Sequence, residues 1–257
     1  MFLKAVFFGL LQGVTEFLPI SSSGHLALFQ HLFHFKVPLF FDVLAHLGTM
    51  AAVIIYFKKD LFDLLNGIID EIKRRKFASH LKTVVWLILA TLPAGLVGII
   101  SQNFIARSFG NLRLLSLAFL LTAIILILPR FGRIKIKNKY LSALIVGLSQ
   151  ALALLPGVSR SGTTITCGYL IGLKKEKIFR LSFFMAIIAV VGASVLQIPA
   201  IMRAGGNGFG LSLVALVFSF ISGWFSLGIL EKIFLRGKLW YFSFYCFSLS
   251  LAILVLA

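Results

Sequence analysis

Gln12-Gly13-Val14-Thr15-Glu16-Phe17-Leu18-Pro19-Ile20-Ser21-Ser22-Ser23-Gly24-His25 puts a carboxylate, an imidazole and three serine hydroxyls inside an otherwise apolar stretch. In water the run would mean little. Inside a bilayer it is costly, because a charged group near the centre costs at least ~2.5–3.5 kcal/mol. Pro19 and the serine–glycine run also stop a helix, since proline lacks a donor and serine and glycine favour caps and turns. The stretch therefore predicts a helix broken within the membrane and a cavity that makes its polar groups tolerable.

The rest of the chain supports that setting. Its 257 residues are 60% hydrophobic and 13% charged, with 27 Phe; soluble domains are roughly 45–50% apolar and about 25% charged. A spanning helix needs about 20 residues. The length then fits one all-α polytopic membrane domain over 1–257, with about six full spans plus re-entrant helices. The net charge of +17 could suggest nucleic acid, but its placement argues against that. Of the 25 Lys and Arg, 7 lie in 58–82, 5 in 130–139, 4 in 174–180 and 3 in 231–238. Clusters in short loops are what cytoplasmic loops carry, so the charge is read as orientation and no nucleic-acid partner is expected. Cys167 and Cys246 sit in apolar segments and read as small buried hydrophobes. The N-terminal segment is read as retained, because Gln12 and Glu16 interrupt any signal-like core.

Apolar segments are expected at 2–18, 24–34, 40–57, 83–100, 112–128, 140–155, 163–173, 179–202, 211–230 and 239–257, with an amphipathic piece at 61–72. A second break, Pro156-Gly157-Val158-Ser159-Arg160-Ser161-Gly162, answers the first. Each break follows a Gln and ends on a Gly twelve residues later, at Gln12 and Gly24 and at Gln150 and Gly162. Two matching interrupted helices point to a midplane site built from repeats, here about 1–128 and 139–257. Basic loops flank 140–173 on both sides, so this unit enters from the cytoplasm and returns there. Loop 35–39 precedes a span ending at Lys58-Lys59, so the first unit dips in from outside. The repeats are therefore expected to be inverted, with two re-entrant helix-loop-helix pairs. The turn at 205–208 joins two later spans.

Gln12 and Glu16, four apart, share a helix face. New helices starting near Ser23 and Ser161 would aim their amides and positive dipole ends into one cavity. With Arg160 and the hydroxyls, that makes an anion site, and phosphate is the natural anion. A carboxylate beside phosphate needs a divalent cation between them or a proton to move, and both are roles in phosphoryl transfer. Ser21 to Ser23 offer nucleophiles, and His25 offers an acid/base group or a second nucleophile.

The stretch at 12–25, together with Pro156-Gly157-Val158-Ser159-Arg160-Ser161-Gly162-Thr163-Thr164, resembles the bacitracin-resistance family of undecaprenyl-diphosphatases along essentially the whole chain. The resemblance implies a multi-pass enzyme of the bacterial inner membrane. Such an enzyme removes the terminal phosphate of undecaprenyl diphosphate, recycling the lipid carrier for peptidoglycan synthesis. It also implies a divalent cation (Mg2+ or Ca2+) and an active site open to the periplasm. By resemblance, Glu16 is a metal ligand or base, Ser22 the nucleophile, His25 the catalytic histidine and Arg160 the phosphate clamp. Gln12 stands where the family accepts Glu or Gln, which weakens any metal contact there. Ser159, Ser161, Thr163 and Thr164 match the hydroxyl donors around the arginine. Asp42 falls where the family usually has an acid.

Plainer readings stand beside these. Ser21 and Ser23 read equally as caps of the second helix, and Thr164 as a partner of its own helix backbone. His31, His34 and His46 read as interfacial or packing residues, and Arg107, Arg113 and Arg203 as surface anchors. A polyprenyl-phosphate transporter using the same site is the alternative function, because inverted repeats also build transporters. A homodimer is left open. Ser22 and His25 both stand as the nucleophile.

Overall fold

The computed structural model describes residues 2–33, 38–204 and 209–257. Loop 34–37 with His34, the side chain of Arg203, and the turn at 205–208 lie outside the described residues. The elements are α1 (Phe2–Phe17), α2 (Ser22–Phe33), α3 (Leu39–Tyr56), α4 (Lys58–Lys73), α5 (Ser79–Ile100), α6 (Gln102–Ser108), α7 (Leu112–Ile127), α8 (Lys139–Leu152), α9 (Arg160–Leu170), α10 (Lys175–Ala204), α11 (Phe209–Leu235) and α12 (Tyr241–Leu256), with a 3-10 turn at Leu128–Arg130. The expected segments are all present. One element was not expected: residues 102–108 form a helix where a loop was read, and no Gly or Pro within that run opposes it.

Among the described residues four helices are long and apolar enough to cross a membrane: Ser79–Ile100, Leu112–Arg130, Lys175–Pro199 and Phe209–Leu235. The bent pair α3–α4 makes a fifth when taken as one span, and the fold is the all-α polytopic one expected. α3 passes only together with α4, from which it turns by 72°. α12, with 16 residues, reaches about 24 Å at 1.5 Å per residue, short of the ~30 Å hydrocarbon layer.

Packing follows small residues. α1 lies along α11, and α8 lies along α5. On α1, Gly9 and Gly13 let the backbones touch: a Cβ at Gly9 would stand 2.6 Å from the Ala215 carbonyl oxygen, and one at Gly13 2.4 Å from that of Ser219. On α8, a Cβ at Gly147 would stand 2.6 Å from the Ala90 carbonyl oxygen. Small residues spaced four apart are how helices approach closely where apolar burial no longer drives them together. Hydroxyls reinforce the packing of α11, with Ser226 donating to the Gly13 carbonyl on α1 at 2.8 Å and Ser219 to that of Ala45 on α3 at 2.8 Å.

The four basic stretches meet at one end of the bundle. Arg180 pairs with Asp60 at 2.7 Å, Lys175 donates to the Leu235 carbonyl at 2.8 Å, and Arg133 donates to those of Tyr169 and Leu173. At the same end Glu71 caps α5 from outside the helix, accepting the Ala78, His80 and Leu81 amides at 2.9–3.1 Å. Together these bonds satisfy amides that the first turn of α5 leaves open.

Candidate active site

The two breaks are built alike. Ser21 and Ser159 each cap the helix that follows, accepting the amide of Gly24 at 3.2 Å and of Gly162 at 3.1 Å. Each also lies 3.3 Å from the hydroxyl two residues on, Ser23 and Ser161. Ser21 takes φ +70°, a left-handed conformation unusual for a residue with a side chain. Its hydroxyl also accepts the Gly157 amide of the other break at 3.1 Å. Gly157, at φ +97°, has to be glycine both for its backbone and because a Cβ there would fall 2.8 Å from Ala118 Cβ and 3.0 Å from the Leu115 carbonyl oxygen, while a Cβ on Gly24 would fall 2.7 Å from Gly157 Cα. Ser161 completes the joint by donating to the Phe17 carbonyl at 2.8 Å. The two breaks are therefore in direct backbone contact.

That contact carries Glu16 and Arg160, 144 residues apart, into one pair. Glu16 Oε1 accepts from Arg160 Nη2 at 2.5 Å, while Oε2 accepts from Ser22 Oγ at 2.6 Å and from Gln12 Nε2 at 3.1 Å. Ser22 and Arg160 each follow a capping serine by one residue, so equivalent positions of the two breaks hold the two oxygens of one carboxylate. The pair is largely buried, with side chains 9% and 17% exposed. Arg160 Nη1 and Gln12 Oε1 are buried without a hydrogen-bond partner. They are a free donor and a free acceptor beside the pair. The cavity there, bounded by Glu16, Arg160, Met50, Val53, Ala186 and Ile187, measures about 10 Å³, about enough for one water.

His25 lies on α2, one turn beyond Ser21. Its Nδ1 lies 2.7 Å from the Ser21 carbonyl oxygen, which fixes that nitrogen as the donor, so Nε2 accepts from the Tyr245 hydroxyl at 2.6 Å. The ring stacks on Tyr245, 9° from parallel, and meets the edge of Phe119.

The remaining hydroxyls read from sequence are occupied by the protein itself. Thr163 donates to the Ser159 carbonyl at 2.8 Å, and Thr164 donates to that of Arg160 at 2.8 Å and meets the Ser182 hydroxyl at 2.6 Å. Together with Ser21, Ser159 and Ser161, they hold the breaks in shape. Ser22, Arg160 and Gln12 converge on Glu16, whereas His25 is held by Ser21, Tyr245 and Phe119.

Two participants escaped the sequence reading. His46, read as a packing residue, has Nε2 3.9 Å from Glu16 Oε2, while its Nδ1 lies 2.9 Å from the Asp42 carbonyl oxygen and 3.5 Å from the Asp42 carboxylate. The signal was present: Asp42 and His46 share a face of an apolar helix at the same i,i+4 spacing as Gln12 and Glu16. Tyr245, 220 residues from His25, had no local signal.

Among the described residues, no three His, Cys, Asp or Glu side chains are grouped to hold a metal ion. A hard cation such as Mg2+ is commonly held by one or two carboxylates plus substrate phosphates. The site offers Glu16 and the unpartnered Oε1 of Gln12, a donor set that fits such a cation once phosphate oxygens are added.

A membrane-embedded carboxylate, with a hydroxyl on one oxygen and a guanidinium on the other, defines the class: a polytopic membrane protein with an intramembrane site for an anionic group. The family model described as bacitracin resistance protein BacA matches residues 5–252, and the chain belongs to that family. An undecaprenyl-diphosphatase of Thermosipho africanus is 38% identical over 250 residues, covering 95% of each chain. One from Methanococcus maripaludis is 35% identical, covering 98% of this chain and 99% of its own. Undecaprenyl-diphosphatase 1 of Bacillus licheniformis is 37% identical, covering 99% and 98%.

Proposed function

We propose that the protein removes the terminal phosphate of undecaprenyl diphosphate, leaving undecaprenyl phosphate. The observation that carries this reading is the sharing of Glu16 between Ser22 and Arg160. It presents a nucleophile, its proton acceptor and a phosphate clamp within one hydrogen-bond length. The relatives' names agree with a phosphatase, and none names a transporter.

Ser22 Oγ attacks the terminal phosphorus as its proton passes to Glu16 Oε2. The bond from phosphorus to the bridging oxygen breaks, and undecaprenyl phosphate leaves. Water then attacks the serine phosphate, freeing the serine hydroxyl and inorganic phosphate. Arg160 turns its free Nη1 onto the phosphate oxygens, a charge-assisted contact of the strong kind. His25, held in one tautomer between Ser21 and Tyr245, takes the proton of the attacking water through the Tyr245 hydroxyl, which passes its own proton to Nε2. Both of its nitrogens are engaged, which favours Ser22 over His25 as nucleophile. A divalent cation held by Glu16 and Gln12 would supply positive charge against the diphosphate. Met50 and Val53 on α3 and Ala186, Ile187 and Val190 on α10 line the cavity and offer the prenyl chain an apolar exit between those helices.

The placement belongs to the same proposal: two inverted repeats, the basic end in the cytoplasm of a bacterial inner membrane, and a site served from the periplasm. The like-built breaks and the reciprocal α1–α11 and α8–α5 seams support it. Every residue assigned here comes from one chain, so a homodimer is compatible but unnecessary.

The test is phosphate release from a lipid diphosphate by purified protein in detergent, where no second compartment exists. Release is expected from the wild type and should be lost in Glu16→Gln, Ser22→Ala and Arg160→Ala. A folded protein that releases none, with a divalent cation present, would refute the reading.

A further inference from the structure

A second cavity lies at the basic end, away from the paired breaks. It measures about 80 Å³, and Arg130, Thr166, Tyr169, Lys175, Gly237 and Trp240 contribute to its wall. At roughly 10–15 Å³ per water, it has room for a phosphate group and a few waters. Its chemistry is cationic and aromatic. The Arg130 guanidinium lies 4.4 Å over the Trp240 ring, and the Lys175 ammonium lies 5.6 Å from the Tyr169 ring. Among the described residues neither cation has a carboxylate partner. Arg133 stacks on Tyr169 at 3.9 Å and donates to the carbonyls of Tyr169 and Leu173, bracing the wall from behind.

Thr166 is the second, independent observation. It is fully buried, and its hydroxyl has no hydrogen-bond partner. Helical threonines ordinarily donate back to their own helix, as Thr163 and Thr164 do one turn earlier. An orphaned buried hydroxyl costs about 1–3 kcal/mol, and a ligand oxygen at the cavity floor would remove that cost. Two cations without a carboxylate partner, a spare hydroxyl donor and aromatic walls match a phosphate group. Basic pockets between helices on a cytoplasmic face are where anionic headgroups bind.

We propose that this cavity is a second phosphate-binding site, distinct from the one at Glu16, with Arg130, Lys175 and Thr166 as its ligands. The phosphate could belong to an anionic lipid headgroup or be inorganic. The lipid source rests on the membrane placement proposed above, whereas phosphate binding itself does not. The occupant would sit beside the helix that carries Arg160, six residues from it.

Trp240 provides the probe, since Trp86→Phe and Trp224→Phe leave it the only tryptophan. The doubly substituted full chain is titrated with inorganic phosphate in detergent. Separately it is placed in phosphatidylcholine nanodiscs with rising phosphatidylglycerol. Trp240 emission and melting temperature are followed in both. A saturable change with phosphate alone assigns inorganic phosphate; a change only with phosphatidylglycerol assigns the headgroup. Either supports the site if Arg130→Gln and Lys175→Gln each weaken it about tenfold, and Thr166→Val about threefold, while phosphate release at the Glu16 site continues. The nearly isosteric Thr166→Val guards against loss of fold and should not lower the melting temperature of the free protein. Response to neither probe, or Arg130→Gln binding as well as its parent, would overturn the proposal.

Discussion

Gly24→Ala tests whether backbone contact between the breaks sets the site. The new Cβ would lie 2.7 Å from Gly157 Cα and 2.8 Å from its nitrogen, against an ordinary contact of 3.4 Å or more. The breaks would therefore have to part by about 0.7 Å or more, because Gly157 meets the new Cβ with backbone atoms and Phe119, whose Cζ is nearer still at 2.6 Å, is fully buried. Overpacking of this kind costs about 1–3 kcal/mol of stability. The effect on activity should be larger than that cost implies. Ser22 is two residues from the new methyl and Arg160 three from Gly157, so the shift also separates nucleophile from clamp. A misplacement of about 1 Å costs on the order of 10²-fold in rate. Phosphate release should fall about 10²-fold with a melting temperature a few degrees lower, measured on the purified protein with a lipid diphosphate. A variant with the wild-type rate and melting temperature would show that contact between the breaks does not set the site.

Other expectations concern charge, hydrogen bonding and pH. Glu16→Gln removes the proton acceptor of Ser22 and leaves Arg160 as an uncompensated buried charge. Release should fall about 10²–10⁴-fold and stability by ~3–5 kcal/mol. Adding Arg160→Gln should restore much of the melting temperature but none of the activity. Tyr245→Phe removes only the hydroxyl that holds His25 Nε2. Turnover should drop about tenfold with KM and melting temperature little changed; a full-rate variant would remove Tyr245 from the account. Partial burial of Glu71 opposes its ionisation, but the His80, Leu81 and Ala78 bonds outweigh it and hold the carboxyl down at about 2, below its ordinary 4.5. Its folded value is depressed, so the stability it gives is present above about pH 4.5 and lost as pH falls toward 2. Glu71→Gln should flatten the melting temperature across that window, and an unchanged profile would count against the cap.

The parts of the molecule legible in sequence were those with a local signature. Pro19 and Pro156, each followed by Ser and Gly, marked both breaks, and clustered Lys and Arg marked the end where the basic loops gather. Side-chain direction was not legible. Ser21, Ser22 and Ser23 are alike in sequence, yet the positive φ at Ser21 turns its hydroxyl to the other break and leaves Ser22 facing Glu16. Thr163 and Thr164 looked like phosphate donors, but their hydroxyls donate to the helical backbone. Tyr245 reaches His25 only because α12 packs beside α7, a tertiary fact with no counterpart in spacing.

The most direct measurement is the location of the trapped phosphate after one turnover with a lipid diphosphate labelled in its terminal phosphate, quenched and mapped by mass spectrometry. Label on Ser22, absent in Ser22→Ala together with the activity, is the expected result. Label on His25, or turnover that survives Ser22→Ala, would contradict it.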